Sequence, residues 1–140
     1  MAHFIGVAHR AQVLEAREAG FVAFSHGKES AVRGLSPGDT VIYYAPKTDF
    51  DGDPVQAFVA LADVTGETPE ERAFMGGDFI AWTRAATFRD VSEVPVKPML
   101  EELSFVKNPK HWGMAFRNGK FEISAEDHGK IAEAMLGGTP

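Results

Sequence analysis

Cysteine is absent from the 140 residues, which excludes a disulfide framework, thiolate chemistry and zinc-ribbon sites together. No apolar run approaches the ~18 residues of a membrane span. The opening MAHFIGVAHR is too short for a secretory leader and has neither its basic start nor its small-residue cleavage site. These absences lead us to expect a cytoplasmic protein with no membrane partner. Positive charge is also in deficit: 14 Lys and Arg stand against 20 Asp and Glu, for a net charge of −6. That balance works against indiscriminate coating of nucleic acid, which is driven by counterion release. It leaves room for a small basic mouth on an acidic body.

What is present reads as one globular domain spanning 1–140, long enough to bury a core, with 44% hydrophobic and 24% charged residues. The charges are sorted along the chain. FVKNPKHWGMAFRNGKF carries Lys107, Lys110, Arg117 and Lys120 without a carboxylate, while Glu67, Glu70, Glu71 and Asp78 crowd elsewhere.

HFIGVA (3–8) reads as a buried strand. AQVLEAREAG follows as a two-turn helix with Val13, Leu14 and Arg17 at helical spacing and Gly20 as its stop. FVAFS is extended, and HGKESAVRG is a loop with room for one helical turn. SPGD at 36–39 is a turn, because Pro37 pre-sets one dihedral and Gly38 supplies the permissive one. It launches the strand TVIYYAP, ended by Pro46, in which Tyr43 and Tyr44 point to opposite faces so that at most one enters the main core. VQAFVALADVTG is apolar on both faces and belongs at the centre of a covered sheet. PEERAFMGGD reads as an acidic loop, FIAWTRAATFRDV as another strand, and KPMLEELSF as a short helix after Pro98. RNGKFEIS places an Asn-Gly turn before a short strand. The last helix starts at Ser124 with Asp127 three residues on, and buries Ile131, Ala134 and Met135. About five or six strands and three short helices, without βα alternation, make an α+β protein built on a small barrel.

The motif search excludes more than it finds. HGK is not a P-loop: six residues separate Gly20 from Gly27, and Glu29 follows Lys28 where Ser or Thr should sit. The five histidines never pair at i, i+4, so no metal site is expected. Ser25-His26 lacks a nucleophile elbow, and Glu101-Glu102 reads as a solvated face. Trp82 and Arg84 share a strand face, an arrangement able to stack a flat ring and meet an anion or carbonyl; the plainer reading of the same residues makes Trp82 core with Arg84 at its rim. Trp112 reads equally well as a plug under a loop.

Taken in order, FIGVAHRAQVLEAREAGFVAFSHGK, GDTVIYYAPK, QAFVALADV, FIAWTRAATF, VPVKPMLEELSFVKNPKHWGMAFRNGKFEIS and the final helix resemble the EVE domain, over essentially the whole chain. The resemblance implies a PUA-like pseudo-barrel flanked by short helices. It also implies kinship with YTH domains, which hold a methylated adenine in an aromatic cage. The partner so implied is a modified nucleobase or nucleotide in DNA or RNA, with no enzymatic activity and no cofactor. By position, Ser25, His26, Gly27 and Lys28 match the family's HGK segment. Tyr44 and Pro46 match its Tyr-Ser-Pro turn, with Ala45 in place of Ser. Trp82 and Arg84 lie in a strand that usually ends in two arginines, the second being Ala85 here. Phe4 stands where the family commonly has Trp, and His9 where related readers place polar contacts to the base. The resemblance thus draws Ser25, His26, Gly27, Lys28, Tyr44, Pro46, Trp82, Arg84 and His9 into one pocket. Two other functions remain alongside: an enzyme on a nucleobase-like metabolite using His26 and Glu29, and an interaction domain with a vestigial pocket.

Overall fold

The computed structural model describes residues 1–24, 27–74 and 79–137. Strand β1 (His3–Val7) leads into helix α1 (Arg10–Ala19), which Gly20 ends in the left-handed conformation at φ 83°, a geometry that favours glycine. After β2 (Phe21–Val22) and the five-residue helix α2 (Glu29–Arg33), the 36–39 turn forms as expected. Asp39 is buried there because its carboxylate accepts the backbone N–H of Ser36 and of Ala2, each at 2.9 Å.

Strands β3 (Thr40–Lys47) and β4 (Pro54–Val64) form the centre of the sheet. β3 does not stop at Pro46 but continues to Lys47, since the register shifts between Ala45 and Lys47. Pro46 has no registered partner on β4 at this irregularity, so its missing N–H breaks no regular ladder pair. β5 (Glu70–Phe74) pairs with β6 (Phe79–Phe88), so EERAF is a strand and not a loop. Its charge had hidden a strand that pairs with β6 alone and lies off the main path of the sheet. β7 (Val94–Pro95) pairs with β4, and β8 (Lys120–Ile123) with β1. Among the described residues eight strands, more than the five or six expected, thus form one mixed sheet in the order β2-β6-β4-β3-β1-β8, with β5 and β7 as side branches. The pairing of β1 with β3 is parallel and is bridged by α1, β2 and α2. Antiparallel strands make up the rest, and the sheet curls into a half-barrel.

Both faces of this sheet are covered, which decides the tyrosines. Tyr43 is 2% exposed and joins a cluster with Val13, Phe24, Val32, Val41 and Val59. Tyr44, 3% exposed, joins Ile5, Phe58, Phe116, Ile131 and Met135 on the other face. The two take opposite faces as expected and no single cluster holds both, but each is buried, because helices close the second face as well. That second cover consists of α3 (Ala125–Gly137), the 3-10 helix Lys97–Glu102, and 3-10 turns across Pro109–Phe116 that break at His111. In α1 the buried stripe runs through Val13 and Ala16, while Leu14 is 37% exposed. In α3, the Ser124 hydroxyl accepts the Asp127 N–H at 3.1 Å, as an N-cap should. The Asp127 carboxylate turns instead to the N–H and hydroxyl of Ser104, pinning α3 to the preceding loop.

A histidine pair marks the junction of α3 with the sheet. His128 stacks on His3 with centroids 4.1 Å apart, and His3 Nδ1 lies 2.7 Å from Thr40 Oγ1. His128 Nε2 is buried with no hydrogen-bond partner among the described residues. Burial first, then His3 and Arg89, push the His128 pKa down to about 4, against an opposing pull from Asp63. The fold therefore rejects a proton that the unfolded chain takes up near its ordinary value of about 6.5. This contribution to stability is whole above that value and is lost as pH falls toward about 4. The melting temperature should decline across that window, and His128→Phe should flatten the decline. An unaltered pH slope in the variant would assign the effect to other groups.

Candidate nucleic-acid interface

Glycine at position 6 starts the site. A Cβ there would lie 2.7 Å from Tyr43 Cε1 and 2.8 Å from Phe24 Cε1, so the bare backbone is what lets those two rings pack against β1. Their centroids are 5.9 Å apart, and the Tyr43 hydroxyl donates to the Ala23 carbonyl at 2.8 Å while accepting the Ala23 N–H at 3.0 Å. Desolvation raises the Tyr43 pKa, so the hydroxyl stays neutral and can serve both bonds. The segment that enters the His-Gly-Lys turn is thereby fixed to the sheet.

Around this anchor, Phe4, Ala31 and Trp82 pack half-buried on the cluster that contains Phe24 and Val32. Lys120 sits in register opposite Gly6 and extends toward α2. Its Nζ donates to the Ala31 carbonyl at 2.7 Å and lies 4.5 Å over the Phe4 ring and 5.4 Å from the Phe24 centroid. Burial lowers the pKa of Lys120, with Asp39 and Glu122 acting in the opposite sense. The result is an edge of aromatic faces and a held ammonium beside the turn.

The residues drawn together by resemblance separate in the structure. Gly27 takes φ 79° and gives its N–H to the Phe24 carbonyl at 2.9 Å; Lys28 follows, exposed, at the N-cap of α2. Ser25 and His26 lie outside the described residues. Trp82 packs half-buried on the same cluster and lies in register with Glu71 of β5. Arg84 is neither at a rim nor open to a ligand: it is 1% exposed, and its guanidinium donates to the Gly66 carbonyl at 3.1 and 2.6 Å and to the Val32 carbonyl at 2.9 Å. Those bonds hold α2 and the turn after β4 against β6, which is structural work.

Tyr44 belongs to the opposite face. It stacks on Phe116 at 4.0 Å and 17°, with edge contacts to Phe58 and Trp112, and burial pushes its hydroxyl up to about 12. Neighbouring strand residues alternate faces, so a wall containing Gly27 and Lys28 takes Tyr43 and not Tyr44. Pro46 lies at the register shift, opposite the extra residue that β4 carries between Pro54 and Ala57. His9 caps α1 with its ring 6.3 Å from that of Phe50, and its Nδ1 is buried without a partner among the described residues. Phe24 and Lys120 escaped the sequence reading. The one available signal for Lys120 was its place in the acid-free segment; what was missing was the β1–β8 pairing.

A family model for the EVE domain matches residues 2–134. The chain belongs to the EVE domain family. This EVE domain is 38% identical over 136 residues to the UPF0310 protein msl3206 of Mesorhizobium japonicum, covering 96% of this chain and 91% of that one. Its fold is similar to the YTH domain of Mmi1, with a TM-score of 0.57 at 12% identity over 94% of this chain and 92% of the other. It is also similar to the ASCH protein of Zymomonas mobilis, at 0.54 and 12% identity over 96% of each chain. At these identities the likeness concerns the fold alone: the curled sheet with its helical covers is PUA-like, as the sequence resemblance implied. No helix among the described residues is long and apolar enough to cross a membrane.

Proposed function

We propose that this EVE domain is a nucleic-acid-binding module that takes one base, modified in its natural partner, into the edge formed by Phe4, Trp82, Gly27, Lys28 and Lys120. The observation that carries the reading is the Lys120 ammonium held over the half-buried Phe4 ring, on a cluster against which Trp82 also packs half-buried. A stacking ring recovers about 1–3 kcal/mol per base, comparable to the few kcal/mol needed to unstack a base from its neighbours. An acidic body with a local basic mouth suits capture of a single nucleotide better than tracking along a backbone. The YTH-like fold adds a precedent by kinship. We propose binding without chemistry, because the one acid that the sequence placed near His26 is engaged. Glu29 is ion-paired with Arg33, and hydrogen bonding to that guanidinium lowers its pKa, which works against service as a general base.

Calorimetric titration with methylated and hydroxymethylated nucleosides and short oligonucleotides tests the reading. At least one modified ligand should bind more tightly than its unmodified parent. Trp82→Ala should remove that binding while leaving a cooperative melt. Equal binding of every modified and parent pair sinks the reader role, and an unfolded Trp82→Ala places the ring in the core.

A further inference from the structure

Lys120 differs from the other engaged cations of the molecule. Arg10, Arg17, Arg33, Arg72, Arg89 and Lys130 all have a carboxylate within ion-pair distance. Arg84 is satisfied by backbone carbonyls. Lys120 is half-buried, and among the described residues Asp39 and Glu122 act on its charge from beyond ion-pair distance, while its ammonium donates to the Ala31 carbonyl. An ammonium carries three donors and no acceptor. Phe4 and Phe24 offer it their π-systems, which attract the charge without taking up an N–H in a strong bond. Withdrawing a cation from water without an ion pair is unfavourable, and an acceptor brought by a ligand relieves that.

We infer that Lys120 is a specificity-determining residue that donates to a carbonyl oxygen on the edge of the bound base, so that the site selects keto bases over their amino counterparts. This rests on the base-binding reading above. A donor-only group favours the O6 or O4 acceptor of a keto base and is mismatched to the exocyclic amine that occupies the same position in adenine or cytosine. A phosphate oxygen presents the same acceptor chemistry. The aromatic setting favours the carbonyl, because a phosphate pressed against the half-buried Phe4 would give up far more hydration.

The experiment compares inosine with adenosine and 5-methyluridine with 5-methylcytidine, each pair differing in one keto or amino group, as free nucleosides and as 5′-monophosphates. Titrations use the intact protein and the variants Lys120→Met and Lys120→Gln. The intact protein should prefer the keto member by about tenfold, the usual worth of a charge-assisted hydrogen bond. Lys120→Met should bring both pairs close to parity. Lys120→Gln keeps a donor for the Ala31 carbonyl, so it serves if the methionine variant fails to fold, and it too should lose most of the preference. A purely structural lysine would weaken all ligands alike and leave the ratios intact, which overturns the inference. A loss that follows the phosphate and not the keto group overturns it as well. If the intact protein binds no nucleoside or nucleotide of the panel, the base-binding reading fails and takes this one with it. If binding is present and the ratios ignore Lys120, the inference about Lys120 fails alone.

Discussion

Tyr44→Ala is expected to destabilise the protein by about 3–5 kcal/mol, the usual cost of emptying a large aromatic site in a packed core. For a chain of this size that corresponds to a fall in melting temperature of roughly 10–20 °C. The ring lies flat on Phe116 and meets the edges of Phe58 and Trp112, in the cluster that α3 covers with Ile131 and Met135. Its removal opens a cavity that rigid neighbours on three sides cannot fill. Tyr44→Phe should lie within about 1 kcal/mol of the parent, because the ring supplies the contacts that hold Tyr44 in the cluster. Both variants should bind nucleosides like the parent wherever they are folded. Thermal melts followed by titration decide this. A Tyr44→Ala protein that melts normally and has lost its ligand would return Tyr44 to the site from which the structure removes it.

Arg84→Met should cost roughly 2–4 kcal/mol, since it leaves the Gly66 carbonyl without its guanidinium donor and takes the charged donor from the Val32 carbonyl, which keeps the Leu35 N–H at 3.3 Å. Gly66 approaches β6 closely: a Cβ there would stand 2.9 Å from the Ala85 nitrogen, and the Gly66 N–H reaches the Ala85 carbonyl at 3.0 Å. The guanidinium thus clamps a turn already seated on the strand and ties it to α2. Arg84→Lys should recover only part of the loss, because an ammonium cannot reproduce a planar fork that spans two carbonyls. Urea denaturation with an unaltered m value reads this directly. Intact stability combined with lost ligand binding would contradict the clamp and favour a direct contact. Because α2 begins just after Lys28, a partial loss of affinity in Arg84→Met is compatible with the clamp, provided the protein is destabilised too.

These outcomes separate two kinds of information. Local chemistry was legible in the chain itself: Gly20 ends α1, the Ser-Pro-Gly-Asp turn launches β3, the both-faces-apolar pattern of β4 places it centrally, and Ser124 caps α3. Such features depend on dihedral preferences and hydrophobic periodicity over a few residues, and the motif string was long enough to identify the EVE family. Partnership across the sheet was not legible. β5 looked like a loop because charged residues suit an edge strand as well as they suit a turn. Tyr44 and Arg84 looked like site residues because one-dimensional spacing reports which strand face a side chain takes but not what covers that face. Only the tertiary structure shows that helices close both faces, burying both tyrosines, and that β8 runs beside β1 to bring Lys120 over Phe4. Long-range pairing is settled by the summed burial of distant segments, and no local stretch of sequence carries that sum.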